Sequence, residues 1–381
     1  GIADWSWVNR YFRTGALQCN APVHWGDRAF FLSFRQHESG SMSQPLQVQD
    51  LGEQELLRRL QRYCPAEIVG DDAALLSVDA GYLLAVTSDT LVDGVHFSLG
   101  IATPGLHTTS ADDAGWRAVA ANLSDLAAMG ATPLGITVAL GLPGEVPVAA
   151  VEALYQGMAA CLQPFQTPIV GGDVCRSPVI SLNITALGQV RPHQAIRRST
   201  AQPGDAIVIT GVHGASRAGL ELLLHPELGQ GLQAGDRATL IQAHQRPVPR
   251  LDVISQLHAL PFPPNVAGMD SSDGLADAVL QICRASQVGA QVDRRQIPLP
   301  TGLTDWIAAD QALAWALYGG EDFELVLCLP HPQARDLVER LGTGAAIVGR
   351  ITAEPGVFLQ DSAGLYPDEA LSLDRGFQHF G

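Results

Sequence analysis

The chain has 381 residues, of which 46% are hydrophobic and 16% charged, and its net charge is −16 at pH 7. Such a chain is globular with room for two cores, which excludes a disordered protein. The acidic balance excludes a nucleic-acid footprint, which needs a basic stripe, and no apolar run reaches the length of a helical membrane span.

Residues 1–41 differ in character from the rest of the chain. They are rich in aromatics (Trp5, Trp7, Phe12, Trp25, Phe30, Phe31, Phe34), show no sustained periodicity and end at Gly40-Ser41-Met42. They read as an extension, either a cloning remnant or a start placed too early, with a genuine accessory segment as the alternative; they lack the features of a secretory signal. From Leu51 the spacing of Leu56, Leu57 and Leu60 predicts a helix. Two strands are then expected, one over Glu67–Leu76 and one over Leu84–Phe97, each an apolar run that stops at glycine, hydroxyl and carboxylate. Gly70-Asp71-Asp72 closes the first, and Thr87-Ser88-Asp89-Thr90 lies in the second. Hard oxygen donors gathered by strands suit magnesium, which usually arrives with phosphates. The alternative is two ordinary turns capped by Asp and Thr.

Ser110 to Gly130 predicts a helix, with a Ser/Asp start, an alanine-rich interior and a glycine stop. Asp125 sits there among Leu123, Leu126 and Ala127, so it is either paired, bound to metal, or turned to water. A strand over 134–142 and a helix over 148–162 carrying Tyr155 come next. Thr167 to Val174 then repeats the pattern of apolar run, glycines (Gly171, Gly172) and a carboxylate (Asp173), and a strand over 181–190 ends the first part. Residues 197–205 read as a linker, placing domains at 42–196 and 197–381. The second opens with a strand from Ala206 and a helix near Ser216–Leu224, and Arg246-Pro-Val-Pro-Arg250 is a proline-locked connection. In Met269-Asp270-Ser271-Ser272-Asp273-Gly274-Leu275 two aspartates flank two serines just before a helix. This suits a phosphate at the helix start with a bridging metal, or equally a simple N-cap. Gly319-Gly320-Glu321-Asp322-Phe323-Glu324-Leu325 sets acidic residues between a glycine pair and a strand, and a last strand is expected over 345–351. The cysteines (Cys19, Cys64, Cys161, Cys175, Cys283, Cys328) have no paired spacing and read as free thiols of a reducing cytosol.

Taken in order, Gly70-Asp-Asp, Thr87-Ser-Asp-Thr-Leu-Val-Asp-Gly-Val-His-Phe97, Asn122-Leu-Ser-Asp-Leu-Ala-Ala-Met-Gly130, Gly171-Gly-Asp173, Met269-Asp-Ser-Ser-Asp-Gly-Leu275 and Gly319-Gly-Glu-Asp-Phe-Glu-Leu325 closely resemble the thiamine-monophosphate kinase family. That family belongs with the aminoimidazole ribonucleotide and selenophosphate synthetases. The likeness runs from about residue 50 to the end.

The resemblance implies a two-domain, mixed α/β (α+β) PurM-like fold, with an N-terminal domain that dimerises through its sheet and a C-terminal α/β domain. It implies magnesium on Asp72, Thr87, Ser88, Asp89, Asp125, Asp173, Asp270 and Asp273, with Asp72, Asp89, Asp125 and Asp273 acting in catalysis through the metal. It implies ATP contacts from Tyr155, Gly172, Asp173, Arg198 and Ser272, and thiamine-monophosphate contacts from His96, Glu321 and Phe377. From the residues alone, His96 is equally a satisfied strand-end histidine and Phe377 plain core. Asp93 stands where the family often has glutamate, and Ser271 where it has an aliphatic residue; neither removes a ligand. A cytoplasmic homodimeric kinase is expected, acting on neither nucleic acid nor membrane. The alternatives are a related ATP-dependent synthetase, a non-catalytic nucleotide-sensing module, or a two-metal phosphohydrolase. The last usually recruits histidines, which do not cluster here.

Overall fold

The computed structural model describes residues 45–66, 68, 73–260 and 265–375. Asp72, Phe377, Gly70-Asp71 and the 1–41 segment lie outside the described residues. Two sheets, one in each half of the chain, organise the molecule.

The first half begins with α1 (Glu53–Leu60), which buries Leu56 and Leu60 as the apolar spacing predicts. A four-stranded sheet comes next in the order β1-β4-β2-β3, from β1 (Leu83–Val92), β2 (Thr132–Leu142), β3 (Ile169–Arg176) and β4 (Ser181–Val190). Strand alternation gives it two unlike faces. Leu182, Ile184 and Ala186 of β4 and Ile136 and Val138 of β2 are fully buried. They belong to one core with α2 (Ala111–Ala128) and α3 (Val148–Leu162). On β1, Leu84 and Val86 are 50% and 59% exposed, so among the described residues nothing covers the face they share.

Ser110 caps α2 in a capping box with Asp113, and Gly130 leaves the helix in a left-handed conformation (φ +70°). α2 and α3 approach until backbone meets backbone. A methyl on Gly115 would lie 1.9 Å from the Leu154 carbonyl oxygen, and one on Gly157 would lie 1.8 Å from that of Asp112.

The expected strand over 67–76 does not form in its described part: residues 73–79 hold no regular element, and Leu75 is 95% exposed. An apolar run becomes a strand only with a ladder partner. β1 pairs with β4, and Asp79 is instead tied by its backbone and side chain to the Gln189 amide.

The second sheet is seven-stranded, with β5 (Ala206–Ile209), β6 (Ala267–Asp270), β7 (Gly289–Asp293), β8 (Leu325–Leu329), β9 (Ala346–Thr352), β10 (Val357–Gln360) and β11 (Glu369–Ala370) in the order β11-β10-β7-β9-β5-β8-β6. Every pair is antiparallel except β10 with β7. Its centre is buried on both sides. Ile207 and Ile209 pack in a core with the helix after β6, whereas Ala206 and Val208 pack with Val253, Leu257, Ala334 and Leu337. α4 (Ala215–Leu224), α5 (Ala234–Gln245), α6 (Leu251–His258), α7 (Leu275–Ser286), α8 (Ala309–Tyr318) and α9 (His331–Leu341) supply the helical layers. The last turn of α2 inserts Ala127 and Ala128 into the second of these cores, so that helix serves both halves.

Among the described residues no helix is long and apolar enough to cross a membrane.

Candidate active site

The C-terminal part of α2 runs between β1 of the first sheet and β6, an edge strand of the second, and polar residues converge there. Alternation on β1 turns Thr87 and Asp89 toward α2. The Thr87 hydroxyl donates to the Asp125 carboxylate. The Asn122 side chain, fully buried, accepts from the Asp89 backbone N–H at 3.1 Å and donates to the Ala118 carbonyl at 2.9 Å. Two residues on, the buried Ser124 hydroxyl donates to Asp270 Oδ2 at 2.8 Å, joining α2 to the end of β6. Ser272 donates to Asp270 Oδ1 at 3.1 Å. α7 then starts behind Gly274 with no side-chain cap, so the Asp270–Asp273 loop does not serve as the N-cap that its sequence allows.

The carboxylates here repel one another. Burial raises the Asp89 carboxyl to about 6, with Asp125 and Asp273 adding to the rise. Burial and then Asp125 push Asp270 to about 7; the Ser124 and Ser272 hydroxyls oppose this, and Asp89 adds a smaller push. Asp125 is also raised by burial, against the pull of the Thr87 hydroxyl and of Arg198. Arg198 is exposed; burial raises Asp277 in the first turn of α7, and the Gln281 amide and Arg198 oppose that rise. Carboxylates held in the charged form so reluctantly suit an outside cation, and an all-oxygen set suits a hard one. Among the described residues no three Asp, Glu, His or Cys side chains close on a single point.

The structure does not bring every expected residue to this place. Ser88 points to the opposite face of β1 from Thr87 and Asp89; its hydroxyl bonds the Ile184 carbonyl at 3.1 Å and lies 3.2 Å from that of Thr185. Gly172 and Asp173 are on β3, the far edge of the first sheet, three strand spacings or roughly 14 Å from β1. The glycine there has a packing reason, since a methyl on Gly172 would meet the Val138 carbonyl oxygen at 2.0 Å. Tyr155 is buried in the N-terminal core, its ring 5.5 Å from that of Tyr63. Asp93 organises the turn after β1 by accepting from the backbone of Leu99 and Ala102, both at 2.9 Å.

His96 sits in that turn, its Nδ1 accepting from the Val92 N–H at 3.1 Å. Across the domain boundary lies the Gly319–Glu324 loop. Gly320 (φ +67°) passes so close to the Ser272 carbonyl that a methyl would sit 2.8 Å away, and Glu321 donates its N–H to that same oxygen at 2.7 Å. Glu321 (φ 60°) and Phe323 (φ 52°) both hold left-handed conformations that non-glycine residues seldom adopt. The three carboxylates of the loop go separate ways. Asp322 is half-buried and accepts from the Gly214 and Ser216 N–H groups at the start of α4, at 2.7 and 2.8 Å. Glu324 takes the Thr210 hydroxyl at 2.6 Å and pairs with Arg250. Glu321 keeps its side chain 34% exposed and pairs at 2.7 Å with Arg117, a residue the sequence did not single out. An arginine among alanines in a helix carries no mark of the side it will take.

Comparisons with known proteins identify the family. The family models for AIR synthase related protein match the chain, the N-terminal domain over residues 70–190 and the C-terminal domain over 202–362. A thiamine-monophosphate kinase of Synechococcus elongatus is 53% identical over 338 residues, covering 87% of this chain and 98% of its own. The crystal structure of thiamine-monophosphate kinase from Stenotrophomonas maltophilia superposes with a TM-score of 0.70 at 36% identity, over 81% of this chain and 96% of that one. AaThiL complexed with AMPPCP and TMP superposes with a TM-score of 0.64 at 28% identity, over 87% and 99%. With both domain models matched in order, and a relative of this identity spanned almost end to end, the chain belongs to the thiamine-monophosphate kinase family of AIR synthase related proteins.

Proposed function

We propose that this chain transfers the γ-phosphate of ATP to the phosphate of thiamine monophosphate, giving thiamine diphosphate and ADP without a covalent intermediate. The observation that carries the reading is the convergence of Thr87, Asp89, Asp125, Asp270 and Asp273 from two domains at the start of α7. The acceptor is itself a phosphate, with a second pKa near ~6, so it is largely ionised at neutral pH and needs no general base. The obstacle is charge: two unit charges at ~4 Å repel by about 4 kcal/mol at an effective dielectric of 20, and each phosphate carries more than one. Magnesium, held by Asp89, Asp125 and Asp270 with Thr87 and Asp273 beside them, would supply the neutralisation that lets two phosphates approach. The chain's own part is alignment. Arg198, exposed beside Asp125 and Asp277, offers its guanidinium to phosphate oxygens, while Ser272 and the uncapped first turn of α7 offer further donors. Glu321 and His96, on facing sides of the boundary, frame the acceptor, a carboxylate being suited to a cationic ring.

The uncovered face of the first sheet, with Leu84 and Val86 half exposed, supports pairing of two copies through it. The same reading puts the enzyme in the cytoplasm.

The test is ADP formation with ATP and magnesium, offering thiamine monophosphate, free thiamine or formylglycinamidine ribonucleotide. Turnover with thiamine monophosphate alone, lost on Asp89→Asn, is expected. Tight ATP binding with no turnover on any acceptor would replace the kinase with a nucleotide-sensing module.

A further inference from the structure

Arg117 is 2% exposed, yet its guanidinium touches three separate parts of the molecule. Nη1 donates to the carbonyl of His244 on α5; Nη2 donates to Glu321 Oε1 at 2.7 Å and to the His96 carbonyl at 3.4 Å. Arg117 belongs to α2, His96 to the turn after β1, and Glu321 to the strained loop before β8, so one side chain spans the domain boundary. The other Glu321 oxygen, Oε2, is 3.8 Å from Nδ1 of His244. That imidazole is fully buried, held by the Ser216 hydroxyl at 3.1 Å, and kept neutral by burial and the nearby Arg117. The imidazole therefore brings no charge to Glu321, and the direct ion pair comes from Arg117.

We propose that Arg117 is the positioning residue of the acceptor pocket, clamping Glu321 and the His96 turn in one register across the two domains. The inference rests on the proposed kinase reading and adds to it the part that assembles the acceptor side. Arg117 need not touch substrate. A planar guanidinium fixes both the place and the tilt of the carboxylate it meets, which an ammonium does not. Without it Glu321, on a backbone conformation that favours relaxation, loses its aim, and the His96 turn loses a tie to the second domain. The metal and nucleotide side is held by other contacts, those of Thr87, Asn122 and Ser124, and is left intact.

The experiment is steady-state kinetics on full-length wild type, Arg117→Met, Arg117→Lys, Glu321→Gln and the Arg117→Met/Glu321→Gln double variant, with ATP-analogue binding and melting as checks of folding. Arg117→Met should raise the KM for thiamine monophosphate about 10- to 100-fold and leave the KM for ATP within about twofold. Arg117→Lys should recover part of that loss, and the double variant should be no worse than the poorer single. An unchanged acceptor KM in folded Arg117→Met, or single effects that multiply in the double variant, overturns the proposal. Should Arg117→Met fail to fold, Arg117→Lys decides: an acceptor KM equal to wild type overturns the proposal, and a raised one with ATP unaffected supports it. Wild-type protein inert toward thiamine monophosphate refutes the kinase reading itself, a result distinct from an active wild type with indifferent variants.

Discussion

Gly115→Ala sets two effects of opposite sign against each other. In the interior of a helix, glycine is about 1 kcal/mol worse than alanine, so on α2 taken alone the substitution would stabilise. The neighbouring helix reverses this. The new methyl would lie 1.9 Å from the Leu154 carbonyl oxygen, a backbone atom that no rotamer change can remove. Restoring a C···O separation of about 3.3 Å means moving the two helices apart by roughly 1.4 Å, which strips close contacts along the α2–α3 seam. Overpacking of this kind costs about 1–3 kcal/mol, and this clash is at the severe end, so a net loss of about 1–2 kcal/mol is expected after the propensity gain. Because Asn122, Ser124 and Asp125 ride on α2, kcat should fall as well. Urea unfolding followed by far-UV circular dichroism measures the first effect, and ADP release the second. A Gly115→Ala protein as stable as wild type or more so would mean that the two helices do not meet through their backbones, and the packing argument would fail.

The charge argument predicts that Asp270→Asn separates stability from activity. The folded protein holds the Asp270 carboxyl at about 7 instead of 3.8, so it loses stability as pH climbs through that window and bears the full penalty above it. The ceiling is about 4 kcal/mol; in EDTA at pH 8 the variant should melt a few degrees above wild type, the gain should vanish toward pH 4, and kinase activity should be lost. A melting point lowered equally at both pH values would contradict it. His213, buried against Ser271 with its pKa lowered to about 4, carries the opposite sign: its contribution is whole above pH 6.5 and is lost as pH falls toward 4. His213→Gln should therefore flatten the acid limb of the melting curve, and an unaltered limb counts against it. Val86→Glu, on the open face of the first sheet, should turn a dimer into monomers in light scattering; a dimer that persists would place the interface elsewhere.

What could be read in the sequence was whatever repeats with a period or punctuates it. The α2 limits at Ser110 and Gly130, the 148–162 helix and the 181–190 strand result from capping and alternation. The cluster of Thr87, Asp89, Asp125, Asp270 and Ser272 was legible because each ends or interrupts an apolar run with oxygen. What escaped depended on which side a residue takes. Ser88 shares a motif with Thr87 and Asp89, but the two-residue period of a strand sends it to the other face. Glu67–Leu76 has a strand's composition, yet its described part has no ladder partner. Arg117 had no polar neighbour in sequence to advertise it, because its partners are 21, 127 and 204 residues away.

The double allegiance of α2 also bears on the order in which the protein can be finished on the ribosome. Ala127 and Ala128 share a core with Val253, Leu257, Ala334 and Leu337, which are made long after them. At about 5–20 residues per second, the end of α2 emerges on the order of 10–40 seconds before Leu337 does. For that interval an apolar helix end and the side chains of Ser124 and Asp125 stand open to water and to other nascent chains. The end of α2 is therefore covered only after the second half has been synthesised, and slowing translation beyond residue 200 should lengthen the period in which a chaperone is needed.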